Sequence, residues 1–364
     1  MKILLLKSIP RKTGYTEKLV SHLKRGIAET DASLKEVDIL KKDINLCNGC
    51  YVCWTKTPGK CIYRDDMDEL LEDFLGADIV MLATPLYHYA MNCEMYRFFE
   101  RTLPLSNPTF EHSSKEVMKN GVRYPDKWKN KKIGLLTCGG FKGEENFSAI
   151  IKTFKLIANG MNLEIGGILI RPESYLLPFK LAKPKTITNI EKAFERAGLE
   201  LGRNGHISKE TSEKAKAPIV ENADMYINFA DIYLEYVRTF YEKGVFDEAK
   251  IVEAVVKDPV ILMQQLASYI DPVATAKVRA TMYFHFTDID LKYLLKIDKG
   301  KCELIKGSEP EKFDLKIETD SKTWGDMFLR DIHPRTALMN KQIILKGEKG
   351  LFTKIDKYFP PPSD

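Results

Sequence analysis

"MKILLLKSIPRKTGYTEKL", residues 1–19, holds the parts of one strand–loop–helix unit in order. Lys2–Leu6 is an apolar run too short for a helix, a loop rich in hydroxyls follows, and a helical pattern runs from Thr16 to about Thr30. The same alternation recurs downstream. Leu34–Ile39 reads as a second strand that delivers the chain to a cysteine-rich loop. Asp65–Gly76 is helical, with Met67, Leu70, Leu71 and Phe74 at i, i+3, i+4 and i+7. Ile79–Ala83 is a buried strand ended by Pro85, and Asn92–Arg101 is a helix. Residues 104–130 form a polar, proline-containing insertion. "KKIGLLTCGG" (131–140) and "LEIGGILI" (163–170) are two more strands, separated by a helix over 147–158 and followed by one over 186–203. Continuously apolar strands alternating with helices predict an α/β fold, a doubly wound parallel sheet covered on both faces.

The second half has another texture. Helical stretches at about 219–242 and 247–268 precede short alternating strands: "TMYFHFTD" (281–288), "KYLLKID" (292–298), "KCELIKG" (301–307), "FDLKIETD" (313–320) and "QIILKG" (342–347). A helix over 321–329 is capped by Asp320 or Ser321, and "HPRTALMN" (333–340) fits a short helix with Pro334 in its first turn. Strands grouped after helices indicate a smaller α+β domain. The expected organisation is a first domain at 1–206, a helical connection at 207–246 with 209–216 as an exposed polar stretch, and a second domain at 247–364.

Bulk properties exclude several classes of function. The formal charge of +5, from 56 basic and 51 acidic residues, is slight and scattered, so no nucleic-acid partner is expected. No apolar stretch approaches the ~18 residues of a membrane span, and the apolar run at Ile3–Leu6 is too short for an export signal. A cytoplasmic location is therefore expected, where structural disulfides rarely persist.

Three loops follow strands of the first domain. "KSIPRKTGYTEKL" (7–19) is neither a Walker A loop nor a G-x-G-x-x-G fingerprint. It offers the hydroxyls of Ser8, Thr13 and Thr16, the cation Arg11, and Gly14 where backbone can approach a ligand, with Thr16 placed at a helix start that favours an anion. An ordinary capped strand-to-helix turn would have a similar composition. "TPLYHYAMN" (84–92) and "TCGGF" (137–141) bring Tyr87, His88, Tyr89 and the pair Gly139–Gly140 to the same end of the sheet. Loops at the carboxyl ends of strands meet at the crevice where strand order reverses. The set suits a phosphorylated planar ligand, a flavin above all.

Four of the seven cysteines fall in "CNGCYVCWTKTPGKC", Cys47, Cys50, Cys53 and Cys61, spaced C-x2-C-x2-C-x7-C. Tight thiolate runs suit iron–sulfur ligation, whereas structural zinc usually takes two separated C-x2-C knuckles. The thiols can equally pack as small apolar groups in a loop that covers a ligand.

Residues 1 to about 205 resemble the flavodoxin-like NAD(P)H-dependent FMN reductases and iron–sulfur flavoproteins. The resemblance rests on S-x-x-R-x-x-G-x-T (Ser8, Arg11, Gly14, Thr16), the cysteine loop running into "DDM" (Asp65–Met67), and "TPLY" (Thr84–Tyr87). It implies that Ser8, Arg11, Thr13, Gly14, Tyr15 and Thr16 bind FMN phosphate. It also implies that Thr84, Pro85, Leu86, Tyr87 and His88, with Cys138, Gly139, Gly140 and Phe141, border the isoalloxazine. By the same resemblance the four cysteines either ligate a [4Fe–4S] cluster or form a lid over the flavin. The donor would be NAD(P)H or an electron-carrying protein, and a homodimer is expected by analogy. No catalytic acid or base is assigned: His88 is the only histidine expected in the crevice.

Residues from about 248 to 360 resemble the sterol carrier protein 2-like fold, through "TMYFHFTDIDLKYLLKIDKGKCELIKG", "DLKIETDSKTWGDMFL" and "HPRTALMNKQIILKG". The resemblance implies an apolar tunnel for a lipid or other hydrophobic ligand, with Trp324, Met327, Phe328, Leu338 and Met339 as lining candidates. The same residues can be plain core. His285 and His333 have no evident acidic partner in the sequence. The whole reads as an FMN-dependent oxidoreductase or electron-transfer flavoprotein with an appended ligand-binding or packing domain. The alternative is a non-enzymatic hydrophobic-ligand carrier on a flavodoxin-like scaffold.

Overall fold

A computed structural model describes the chain except residues 114–117, 180–183, 221, 245–246, 308 and 361–364. The chain forms two compact units, one of Met1–Lys180 with Lys185–Ile219, the other running from Val220 onward.

In the first unit the strands are β1 (Lys2–Lys7), β2 (Ser33–Asp38), β3 (Ile79–Pro85), β4 (Ser106–His112), β5 (Met118–Val122), β6 (Lys132–Cys138) and β7 (Glu164–Arg171). Five of them make a parallel sheet in the order β2-β1-β3-β6-β7. The chain moves outward from β1 to β2, then returns past β1 to β3. The crevice between the loops leaving β1 and β3 is thus the switch point of the sheet. Both sheet faces are covered, so β3 is buried along almost its whole length and reads as unbroken IVMLAT.

The helix of residues Tyr15–Ala28 crosses the helix of residues 184–204 at two glycines. A Cβ built on Gly198 would lie 2.0 Å from the Leu23 carbonyl oxygen, and one on Gly26 would lie 1.8 Å from that of Glu195. Hydrogen in place of a side chain lets the two backbones touch.

Two sequence expectations need correction in this unit. The insertion at 104–130 contains the antiparallel hairpin β4–β5 and a short helix, Pro125–Trp128, whose Trp128 is buried 5.9 Å from the ring of Phe74. Residues 209–215, expected as an exposed polar stretch of a helical connection, form a helix of the first unit capped by Ser208, with Lys209, Glu210, Glu213 and Lys214 exposed and Thr211 and Ala215 buried.

The second unit has β8 (Arg279–Phe286), β9 (Leu291–Asp298), β10 (Lys301–Lys306), β11 (Leu315–Thr319) and β12 (Ile343–Gly347) in the order β10-β9-β8-β11-β12. Only β8 and β11 pair in parallel. Trp324, on the helix Ser321–Phe328, packs edge-on against Phe284 and Phe286 at 5.3 and 6.2 Å between ring centres. The helix expected over 247–268 is two, Glu248–Val256 and Pro259–Ser268. Pro259 cannot donate within a helix and Asp258 caps the second one, so the dipeptide restarts the chain. No helix among the described residues is long and apolar enough to cross a membrane.

Candidate active site

At the carboxyl edge of the parallel sheet, the loops leaving β1 and β3 are tied together under the crevice. The Ser8 N–H donates to the Ala83 carbonyl at 2.9 Å, and the Ser8 hydroxyl donates to Asn92 Oδ1 at 2.5 Å. The Asn92 amide returns a bond to the Ser8 carbonyl at 2.8 Å, and its backbone N–H donates to Thr84 Oγ1 at 3.3 Å. Asn92 also caps the helix Cys93–Glu100 through the Met95 N–H. Ser8 and Thr84 are fully buried, so in this arrangement their hydroxyls serve the knot between loops. Asn92, which organises all of this, was legible only as the last residue of the loop.

Above the knot the helix begins at Tyr15, one residue earlier than the pattern indicates, with Gly14 in the N-cap position and no side chain capping it. Its first-turn N–H groups and the helix dipole therefore suit an anion. The Gly14 N–H donates to the Arg11 carbonyl at 2.9 Å, and a Cβ on Gly14 would stand 2.9 Å from that same oxygen. This turn needs glycine. Arg11 and Thr13 are exposed beside it, while Thr16 is buried with its hydroxyl 3.0 Å from Cys138 Sγ. Burial pushes the Cys138 thiol up to about 11; it is a neutral packing group.

The rim is aromatic. Tyr87 and Ala90 exchange backbone hydrogen bonds of 3.0 and 2.9 Å around His88 and Tyr89, whose φ angles are 46° and 64°. Two consecutive left-handed residues make this a type I′ turn, and it leaves Tyr87, His88 and Tyr89 exposed. Tyr89 stacks on the exposed Phe141 with ring centres 5.9 Å apart and planes 10° from parallel. Leu86 N–H donates to the Cys138 carbonyl at 2.9 Å, so β3 and β6 stay paired up to the rim.

The loop after β6 is zipped to the loop after β7. Gly139 N–H donates to the Arg171 carbonyl at 3.1 Å, Ser174 N–H to Gly139 at 3.0 Å, and Glu173 N–H to Phe141 at 3.0 Å. A Cβ on Gly140 would fall 2.2 Å from the Tyr175 ring, so that glycine makes room for a half-exposed tyrosine. Tyr175 also stands edge-on to the buried Tyr15, 6.3 Å away. Beneath the zipper, Glu173 is buried in the left-handed region at φ 53°. Its carboxylate accepts from Lys142 at 2.8 Å, Arg171 at 3.3 Å and the Ile219 N–H at 2.6 Å. Tyr175 and Glu173 escaped the sequence reading because nothing in "RPESY" marks a ligand loop. The signal is positional: they follow a strand at the same edge of the sheet.

The four cysteines of the loop line one cavity of about 20 Å³, together with Tyr63 and Arg101. Cys53 is buried, Cys47 and Cys61 half-buried, and Cys50 exposed. Burial, reinforced by the three neighbouring thiols, pushes the Cys53 thiol up. The wall is held by Arg101, whose Nη1 and Nη2 grip Asp65 at 2.6 and 3.1 Å, both side chains being about 1% exposed. Arg101 also donates to the Asn45 carbonyl at 2.7 Å and lies 5.2 Å from the ring of Tyr63. Burial alone would raise the Asp65 carboxyl; Arg101 and the Asn45 donors overrule it and hold the group far below the ordinary range. In kind and number the thiols suit a [4Fe–4S] cluster. No group of three metal-ligating side chains among the described residues is placed to hold an ion.

In the second unit Trp324, Met327, Phe328 and Leu338 line a cavity of about 320 Å³ with Leu266 and Phe352. Met339, expected in the lining, is 84% exposed; it is the last residue of its short helix and points away. Arg330, His333, Arg335 and Asp356 also line the cavity, and the indole N–H of Trp324 is buried without a partner. His285 does have acidic neighbours, Asp290 at 3.0 Å and Glu318 at 3.8 Å, brought together by β8, its turn and β11. His333 caps the helix Pro334–Met339 by accepting from the Arg335 N–H.

Residues 1–160 match the family described as NADPH-dependent FMN reductase, and residues 262–360 match the SCP-2 sterol transfer family. An iron-sulfur flavoprotein of Archaeoglobus fulgidus is 33% identical over 129 residues, which is 35% of this chain and 58% of that protein. An iron-sulfur flavoprotein of Methanosarcina thermophila is 26% identical over 178 residues, 47% of this chain and 84% of that protein. Among solved structures, an FMN-dependent NADH-azoreductase from Bacillus anthracis in complex with FMN aligns with a TM-score of 0.43 at 13% identity, over 56% of this chain and 99% of that one. The chain thus spans little more than half, 58%, of the length of the Archaeoglobus relative.

Proposed function

Since residues 1–160 match the NADPH-dependent FMN reductase family and residues 262–360 the SCP-2 sterol transfer family, we propose that the chain is an FMN-dependent oxidoreductase fed by NAD(P)H or an electron-carrying protein. The observation that carries this is the meeting of an uncapped helix N-terminus after β1 with an aromatic rim after β3, β6 and β7.

FMN, when bound, supplies the redox chemistry; the protein supplies position and electrostatics. The first-turn N–H groups of the helix, with Arg11 and Thr13, would hold the phosphate. Ser8 and Thr84 act beneath them, through Asn92, by fixing the two loops at a constant separation. Tyr87, Phe141 and Tyr175 offer ring surface to a planar group, and the β6–β7 zipper keeps Phe141 and Tyr175 in place. Hydrogen bonds to a charged group are worth roughly 1.5–3 kcal/mol each. Arg11→Ala and Gly14→Val are therefore each expected to weaken FMN binding about tenfold or more. Flavin fluorescence titration reads this, and unchanged affinity in both variants would remove the phosphate site.

A second reading concerns the cysteine loop. Four thiols around one cavity, and relatives named iron-sulfur flavoproteins, support a [4Fe–4S] cluster held by Cys47, Cys50, Cys53 and Cys61. Such a cluster would supply one-electron transfer. Anaerobic purification is expected to give about four irons and four acid-labile sulfides per chain, lost in Cys50→Ser. Flavin without iron would leave the loop a lid.

For the second unit the cavity around Trp324 supports a ligand with an apolar body. A fluorescent fatty acid added to the full-length protein is expected to bind saturably, and Phe328→Glu to abolish that binding. No binding by the wild type assigns these residues to packing. A protein that took the fatty acid but no FMN would instead be the carrier of the alternative reading.

A further inference from the structure

The helix Ala223–Glu242 is apolar on two sides. One side carries the buried Tyr226 and Tyr233, and Tyr236 on it bonds Asp258 at 3.1 Å. About 100° round the helix from them, Ile227, Leu234 and Tyr241 are 54%, 50% and 69% exposed. Seven residues apart, they fall within about 20° of one line along an α-helix. Ala230 and Val237 are half-buried along one flank of that line, completing an a/d-type seam. Asp231 and Arg238 lie exposed along the other flank. An apolar stripe of this kind along a helix is ordinarily covered.

We propose that this seam is an interface with a second copy of the same chain, the two helices antiparallel about a two-fold axis near Leu234. The charges choose the occupant and the direction. Asp231 and Arg238 stand three residues before and four after Leu234. In an antiparallel self-pair each Asp231 therefore faces the other copy's Arg238, twice by symmetry. A parallel pair would set that flank against the flank of Tyr226, Tyr233 and Phe240, where no opposite charge waits. Leu234 meets Leu234 at the axis, and Ile227 approaches Tyr241. The exposed bond that Arg238 makes with Glu235 of its own helix, at 2.5 Å, is of the weak i,i+3 kind and does not compete. Nothing in this interface draws on the flavin crevice.

The test uses the full chain. Leu234→Cys is expected to form an intermolecular disulfide under mild oxidation at least tenfold faster than Glu235→Cys, which places the thiol about 100° away on the same helix. Wild type, with its own exposed cysteines, is the background. By light scattering, Leu234→Glu is expected to halve the assembly. Asp231→Arg should weaken it about tenfold by setting like charges together twice, and Asp231→Arg with Arg238→Asp should restore it. Circular dichroism confirms that each variant is folded. Equal cross-linking at 234 and 235, or a mass unchanged by Leu234→Glu, overturns the interface. Failure of the double charge exchange to restore assembly overturns the antiparallel arrangement.

Discussion

Arg101→Ala is expected to lower the stability of the first unit by about 3–5 kcal/mol, because it leaves the Asp65 carboxylate buried with its main counter-charge gone. The same change strips the Asn45 carbonyl of a donor and opens the wall of the cysteine cavity. Urea unfolding at neutral pH reads the loss. Replacing both partners, Arg101→Met with Asp65→Leu, should recover much of it, since a pair of apolar groups carries no stranded charge. The pH dependence has a definite sign. Asp65 is held below its ordinary value in the folded protein, so its contribution is present above the unfolded carboxylate pKa of about 4 and is lost as pH falls through and below it. In Arg101→Ala only the Asn45 and Met67 donors remain, so the carboxyl is held down less strongly and protonation costs the variant less. The gap between wild type and variant should therefore narrow on acidification. A gap constant with pH would mean that Arg101 acts by packing alone.

Gly198→Ala is expected to cost about 3 kcal/mol, the upper part of the usual range for overpacking. The added methyl would sit 2.0 Å from the Leu23 carbonyl oxygen, and backbone on both sides leaves no flexible side chain to yield. The helices must separate or tilt. Gly76→Ala is the matched control: a Cβ there meets nothing within 4 Å at the end of a helix, so the change should be neutral or stabilise by up to about 1 kcal/mol. A thermal shift of similar size in both variants would contradict the close-packed crossing.

The first unit was readable because its strands are unbroken apolar runs and its helices keep a clear period, as Ile79–Ala83 and Met67–Phe74 do. Boundaries moved where a local residue overrode the period: Gly14 started a helix at Tyr15, and Asp258–Pro259 divided another. The hairpin Ser106–Val122 was hidden because its strands are mostly exposed and alternate little. At the site, residue types indicated where ligand chemistry gathers but not which atoms remain to perform it. Ser8 was selected for a hydroxyl that Asn92, 84 residues later, takes up. Arg101 and Asp65, 36 residues apart, enter the sequence only as the ends of two helices, and the fold buries them together. Long-range partners of this kind leave no mark in local sequence.

The central claim is that the crevice between the loops after β1 and β3 binds FMN. Titrating the flavin-free full-length chain with FMN and following flavin fluorescence tests it directly. The expected result is saturable quenching with one FMN per chain, as exposed rings of Tyr87, Phe141 and Tyr175 close on the isoalloxazine, and loss of tight binding in Arg11→Ala. A folded chain that leaves FMN fluorescence unchanged up to millimolar protein, the weak-binding limit of about 4 kcal/mol, would contradict it.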